Sequence, residues 1–132
     1  MPKSKGLNHV AMSVPHGTLT DEYVAEICDF YGRHLGWRPI DELRQEDRLT
    51  LAAGGRTYVN VRERDDVMVC HGYEHIGITL ASADDTDELW QDLRDDSRDL
   101  DLSEMEHGSD GFRAFRFRYL LPMAVEVQYL PS

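Results

Sequence analysis

The sequence predicts an α+β protein in which two βαβββ modules form a curved mixed sheet with a concave, helix-free face. Three observations predict it: an internal repeat, strands that alternate apolar and polar residues, and two capped amphipathic helices. The repeat aligns Gly6-Leu7-Asn8-His9-Val10-Ala11-Met12-Ser13-Val14 with Gly72-Tyr73-Glu74-His75-Ile76-Gly77-Ile78-Thr79-Leu80 at an offset of 66 residues. The same offset maps Thr20-Asp21-Glu22 onto Thr86-Asp87-Glu88, Leu49-Thr50-Leu51 onto Phe115-Arg116-Phe117, and Val59-Asn60-Val61 onto Val125-Glu126-Val127. Four matches without gaps between them divide the chain into modules of about residues 5–66 and 71–131, too small to be comfortable alone and read together as a single domain.

Each module opens on a strand, because Val10, Met12 and Val14 alternate with His9, Ala11 and Ser13, and Ile76, Ile78 and Leu80 alternate likewise. Thr20 and Thr86 are the expected helix N-caps, each followed by two acids that favour a helix start. The first helix is expected to reach Leu35, with Ile27, Phe30 and Tyr31 inward and Gly36 as its stop. The second is expected over 86–97, with Leu89, Trp90 and Leu93 inward and its aspartates solvated. Three strands follow in each module, at about 37–43, 47–53 and 56–63, then at 101–106, 112–119 and 123–130, with Gly54-Gly55 as a hairpin turn.

Alternation then sorts the polar residues. The valines of each strand should pack on the helix, which sends His9, His75, Tyr58, Asn60, Arg62, Glu126 and Gln128 to the opposite face. A lone strand histidine is usually an ordinary hydrogen-bonded residue. Here two recur at equivalent positions and Glu126 shares their face, so His9, His75 and Glu126 are the candidate metal ligands. Two imidazoles and one carboxylate leave open coordination positions, a set suited to Fe(II), which is favoured, and also to Mn(II), Ni(II) or Zn(II). Such a centre would stabilise a bound enolate, catecholate or other oxyanion. Arg116 and Arg118 share the Glu126 face, either as a clamp for an anionic substrate or as partners of the protein's own carboxylates. Tyr58 and Tyr73 are candidates to line the cup or to pack its wall. His16, His34 and His71 fall outside the repeat-equivalent positions and are read as surface residues.

Bulk composition narrows the partners. Over 132 residues, 25 acidic side chains against 14 basic ones give a formal net charge of −11, which opposes nucleic acid and anionic membranes. The chain has no apolar stretch of transmembrane length, no signal-peptide pattern and only two widely separated cysteines, so a cytoplasmic location is expected.

The motifs Leu7-Asn8-His9-Val10, Phe30-Tyr31-Gly32-Arg33-His34-Leu35-Gly36-Trp37, Glu74-His75-Ile76-Gly77 and Phe115-Arg116-Phe117-Arg118 with Val125-Glu126-Val127 resemble the vicinal oxygen chelate superfamily of glyoxalase I, bleomycin-resistance proteins, fosfomycin-resistance enzymes and extradiol dioxygenases. The resemblance implies a metal-dependent enzyme that binds a small, oxygen-rich substrate, and a homodimer. It matches His9, His75 and Glu126 to three metal positions and Asn60 to a fourth, where glyoxalase I relatives carry a carboxylate base. Asn60 cannot take up a proton usefully, which argues against glyoxalase I chemistry. Extradiol relatives keep a histidine nineteen residues before the glutamate, here His107, and on that basis ring cleavage is the first expectation. Non-redox lyase, isomerase or transferase chemistry, and a non-catalytic drug- or metabolite-binding role, are the alternatives.

Overall fold

The computed structural model describes residues 1–131. The chain divides into two compact units, Met1–Met68 and a second that begins at Val69, close to the repeat boundary. Each unit contains a mixed sheet whose first and last strands pair in parallel. Parallel pairing of strands in one unit demands a long crossover, and the helix and intervening strands supply it. No helix among the described residues is long and apolar enough to cross a membrane.

In the first unit β1 (His9–Val14), α1 (Asp21–Leu35), β2 (Arg38–Pro39), β3 (Arg48–Ala52) and β4 (Tyr58–Glu63) give the sheet order β1-β4-β3-β2. Thr20 caps α1 by accepting the Tyr23 N–H, and Asp21 and Glu22 sit at its positive end. Gly36 ends it at φ 72°, a left-handed conformation that costs an L-residue with a side chain about 1–2 kcal/mol. Ile27, Phe30 and Tyr31, spaced as one helix face, are fully buried, and Tyr31 stacks on Trp37 with ring centres 5.2 Å apart. The sheet contributes Met12, Val14, Leu49, Leu51, Val59 and Val61 to this core, and the register aligns Met12 and Leu49 with Val61 and Leu51 with Val59. At the end of β4, Glu63 Oε2 accepts the Leu19 N–H at 2.8 Å, so the last strand holds the loop that leads into α1.

In the second unit β5 (His75–Thr79), α2 (Ala83–Asp95), β6 (Asp101–Leu102), β7 (Glu106–His107), β8 (Arg113–Arg118) and β9 (Ala124–Tyr129) give the order β5-β9-β8-β6, with β7 also on β8. Leu89 and Leu93 of α2, Phe115 and Phe117 of β8, and Val125 and Val127 of β9 are buried together with Leu121. The turn before β9, Tyr119-Leu120-Leu121-Pro122, is apolar because Leu121 belongs to the core, while Leu120 beside it adopts φ 61°.

In the first unit the strand expected over 37–43 is reduced to Arg38–Pro39 and gives way to a 3₁₀ turn at Asp41–Leu43; two further features of the second unit depart from the sequence expectation. The N-cap of α2 is Ser82, not Thr86: Ser82 Oγ accepts the Asp85 N–H at 3.0 Å, and Thr86 lies buried one turn inside. Thr86 mimics a cap in sequence, but its hydroxyl donates back to the Ser82 carbonyl at 2.9 Å, a bond open to threonine within a helix. The single strand expected over 101–106 is instead two short pieces. Leu102 pairs with Phe117 but Glu106 pairs with Ala114, so three residues (103–105) oppose two (115–116). One extra residue is a bulge, and it exchanges the faces of everything beyond it. Ser103 anchors the bulge, its N–H donating to the Arg116 carbonyl and its Oγ accepting the Arg116 N–H, both at 2.8 Å.

Replacing Ser82 by Ala should lower stability by about 1 kcal/mol, as loss of a cap does, read from denaturant midpoints. The Leu19 N–H, followed by that of Gly17, holds the Glu63 carboxyl below the ordinary carboxylate range. A depressed folded value means the contribution is present above the ordinary value and disappears as pH falls through the lowered one. Glu63→Gln should therefore flatten the acid limb of a stability–pH curve and leave its slope near neutrality unchanged.

Candidate functional site

The second unit brings together most of the residues singled out in sequence. His75 on β5 and Glu126 on β9 stand on neighbouring parallel strands, where Gly77 is the register partner of Glu126. Both side chains oppose the buried Val125 and Val127 and are about one-fifth to one-quarter exposed. His75 Nδ1 lies 2.6 Å from the Tyr73 carbonyl oxygen. A carbonyl can only accept, so Nδ1 carries the proton and the neutral ring presents an unprotonated Nε2. That Nε2 sits 3.8 Å from Glu126 Oε2. The separation exceeds a hydrogen bond, yet two donors each about 2.1 Å from one ion can span it.

Glu126 is oriented from both sides. Gln128 Nε2 donates to Oε1 at 2.7 Å, and Arg116, its register partner on β8, brings Nε to 3.5 Å from Oε2. The Arg116 guanidinium also lies 5.9 Å from the Tyr73 ring centre, and Tyr73 meets the His75 ring edge-on at 5.6 Å. Arg118 reaches Asp101 at 3.7 Å. Both arginines line a hollow of ≈ 200 Å³ with Gly72, Asp101 and Ser103. The two arginines thus face a hollow and at the same time lean on the protein's own carboxylates.

In the first unit His9 shows the same tautomer by a different route. Its Nδ1 lies 2.7 Å from Asn8 Oδ1, which leaves Nε2 unprotonated in the neutral ring. The ring stacks on Tyr58, its register partner, with centres 4.7 Å apart and planes at 3°. Asn60 shares this face, and its Oδ1 accepts the Thr50 hydroxyl at 3.1 Å, which leaves its amide NH₂ as a donor. Asn8 and Gln128 were not singled out as site residues in sequence. Their positions, one residue before His9 and two after Glu126 on the same face, are the signal that could have found them.

His107 does not join the group. It pairs with Arg113, whose guanidinium donates to Asp87 of α2 at 2.9 Å, so both belong to the helix-covered face, away from Glu126. The bulge after Leu102 is the cause: an unbroken strand would have turned His107 to the other side. Among the described residues no three His, Cys, Asp or Glu side chains gather closely enough to hold a metal ion. The second unit supplies two donors, His75 and Glu126, whose chemistry suits a divalent cation.

Comparison with known proteins places the fold. No curated protein sequence gives a significant match. Among solved structures, a glyoxalase family protein from Bacillus anthracis aligns with a TM-score of 0.71 at 16% identity, covering 99% of each chain. The fosfomycin resistance protein FosX from Listeria monocytogenes, complexed with Mn(II) and sulfate, aligns with a TM-score of 0.69 at 14% identity, over 98% of this chain and 93% of that one. Oxidase ChaP-H2 aligns with a TM-score of 0.64 at 17% identity, over 98% and 97%. At such identities the likeness concerns the fold. The sequence profile of one family extends further, matching residues 6–118, and on that match the chain belongs to the Glyoxalase/Bleomycin resistance protein/Dioxygenase superfamily.

Proposed function

We propose that this protein is a divalent-metal-dependent enzyme that binds a small substrate through two neighbouring oxygens and performs non-redox lyase, isomerase or group-transfer chemistry. The observation that carries the reading is the pair formed by His75 and Glu126, an unprotonated Nε2 facing a carboxylate oxygen at 3.8 Å, each held by a second residue. His9 is the third ligand in this reading, at the repeat-equivalent position and with the same tautomer, contributed by the same chain or by a second copy in a homodimer. The FosX structure that contains Mn(II) supports a metal in this fold. When bound, the ion would supply Lewis acidity and lower the pKa of a coordinated hydroxyl.

The chain's own residues set the rest. Tyr73 O and Asn8 Oδ1 keep both imidazoles in the ligating tautomer. Gln128 holds one oxygen of Glu126 and leaves the other forward. Arg116 and Arg118, at the rim of the ≈ 200 Å³ hollow, would receive an anionic substituent. Asn60 orients a substrate oxygen by donation and does not remove a proton. Ring cleavage loses its main sequence argument, because His107 faces away from Glu126.

The test is metal binding by chelator-stripped protein. Wild type should take up Mn(II) or Zn(II) at micromolar concentration in calorimetry. His75→Ala and Glu126→Gln should show no measurable uptake, and Gln128→Ala should bind about 10–100-fold more weakly. Wild-type protein that ignores Mn(II), Zn(II), Ni(II) and Fe(II), or variants that bind as wild type does, would overturn the proposal. If a second copy supplies His9, mixing His9→Ala with Glu126→Gln protein should restore one of the two sites in each mixed dimer; no restoration assigns His9 to the same chain. With Fe(II) and reductant, no oxygen uptake is expected across a catechol panel, and uptake would return ring cleavage to first place.

A further inference from the structure

Arg62 stands apart from the other arginines of the sheet faces. Arg113 and Arg116 reach carboxylates, Arg118 lies 3.7 Å from Asp101, and Arg48 spends Nε and Nη2 on the Leu43 carbonyl. The Arg62 Nε is closed off from water and has no hydrogen-bond partner among the described residues. A buried N–H without an acceptor is costly, and in a native protein it calls for a reason.

The surroundings supply one. Arg62 lines a cavity of ≈ 460 Å³ on the helix-free face of the first unit, with Ser13, Asn60, Arg48 and Arg64 as its polar walls and no carboxylate. Each neutral member has its acceptor occupied and a donor left over. Ser13 Oγ accepts the Met68 N–H at 2.6 Å, so its hydroxyl proton is available. Asn60 Oδ1 accepts from Thr50, so its NH₂ is available. Arg48 keeps Nη1. Arg64 leans towards Asp66 at 3.3 Å. The register sets Ser13, Arg62 and Arg48 in one row across β1, β4 and β3, beside the row of Ala11, Asn60 and Thr50.

On its other flank Arg62 borders a hollow of ≈ 290 Å³ that Asp47, Glu63, Asp65 and Asp66 help to line. Three of these acids have other partners: Glu63 takes the Leu19 N–H, Asp65 lies 2.7 Å from His16 Nε2, and Asp66 faces Arg64. None forms an ion pair with Arg62 among the described residues. In a chain of net charge −11, a hollow that offers only donors and cations is a local reversal of sign.

We propose that this cavity binds the oxyanion group of a small molecule, a carboxylate or a phosphoryl group, with the Arg62 guanidinium as its principal anchor and Asn60 and Ser13 as neutral donors. The planar fork of arginine matches either group through paired N–H···O bonds. Ser13 lies four residues along β1 from His9, about 13 Å at 3.3 Å per residue, while Asn60 stands two residues nearer and orients substrate in the function proposed above, so the inference rests on that reading and names where the substrate's oxyanion would sit. The residues that line the cavity all belong to the first unit.

The experiment is titration of chelator-stripped, full-length protein with inorganic phosphate, methylphosphonate, acetate and malonate at constant ionic strength. Amide, Arg Nε–H and Asn side-chain resonances are followed by ¹⁵N NMR, with calorimetry for affinity. Saturable shifts at Arg62 Nε–H and the Asn60 NH₂ are expected with at least one anion, and the preferred anion distinguishes phosphoryl from carboxylate ligands. Arg62→Gln should weaken binding about tenfold or more, and Arg62→Lys, with charge but no fork, should fall between. Arg33→Gln, an exposed change on α1 that also removes one positive charge, should bind as wild type does. His75→Ala should leave anion affinity unchanged while abolishing metal uptake, which separates failure of this proposal from failure of the metal reading. Shifts that never saturate, or equal affinity in folded Arg62→Gln protein, would overturn it.

Discussion

Strand parity is the constraint on which the molecule depends. In both units the buried residues of the last strand, Val59 and Val61 or Val125 and Val127, occupy alternate positions. Burying them leaves no choice about the residues between, which must face the other way. Asn60 and Glu126 are placed by that rule, and so are His9 and His75 through parallel pairing of the first strand with the last. The polar face is assembled as the complement of the core. Hydrophobic burial supplies the free energy, and the pleat converts it into position.

The same rule explains where placement fails to follow from spacing. Counting from Leu102 as if the strand were continuous turns His107 towards Glu126. One inserted residue near Ser103 turns it to the helix face opposite Arg113. The bulge has a local cause in the bonds between Ser103 and Arg116, but Ser103 is an ordinary strand-edge residue in the sequence and announces nothing. The α2 start is a parallel case. Thr86 and Ser82 both carry a hydroxyl that can cap, and burial of Thr86 decided between them.

Most of the architecture was therefore readable, because the repeat, the glycine after α1 and the alternating valines are each local statements about backbone and burial. The site was readable to the level of which face a residue occupies. The pairing of His75 with Glu126 follows from two strands being neighbours, and the repeat exposes that relation. The engagement of Arg116 with Glu126, as against the unpaired Nε of Arg62, does not follow. Both arginines sit on polar faces of equivalent sheets, and what separates them is the cross-strand neighbour: Arg116 has the Glu126 carboxylate beside it, whereas Arg62 stands between Ser13 and Arg48.

The two histidines differ in what holds their rings. A main-chain carbonyl, that of Tyr73, fixes His75, and any residue at that position would provide one. His9 relies on the Asn8 side chain, which a single codon change removes. Evolutionary drift thus has unequal access to the two halves of the duplication. Freeing the amino-terminal imidazole asks nothing of the backbone, whereas freeing the other requires the main chain before β5 to move.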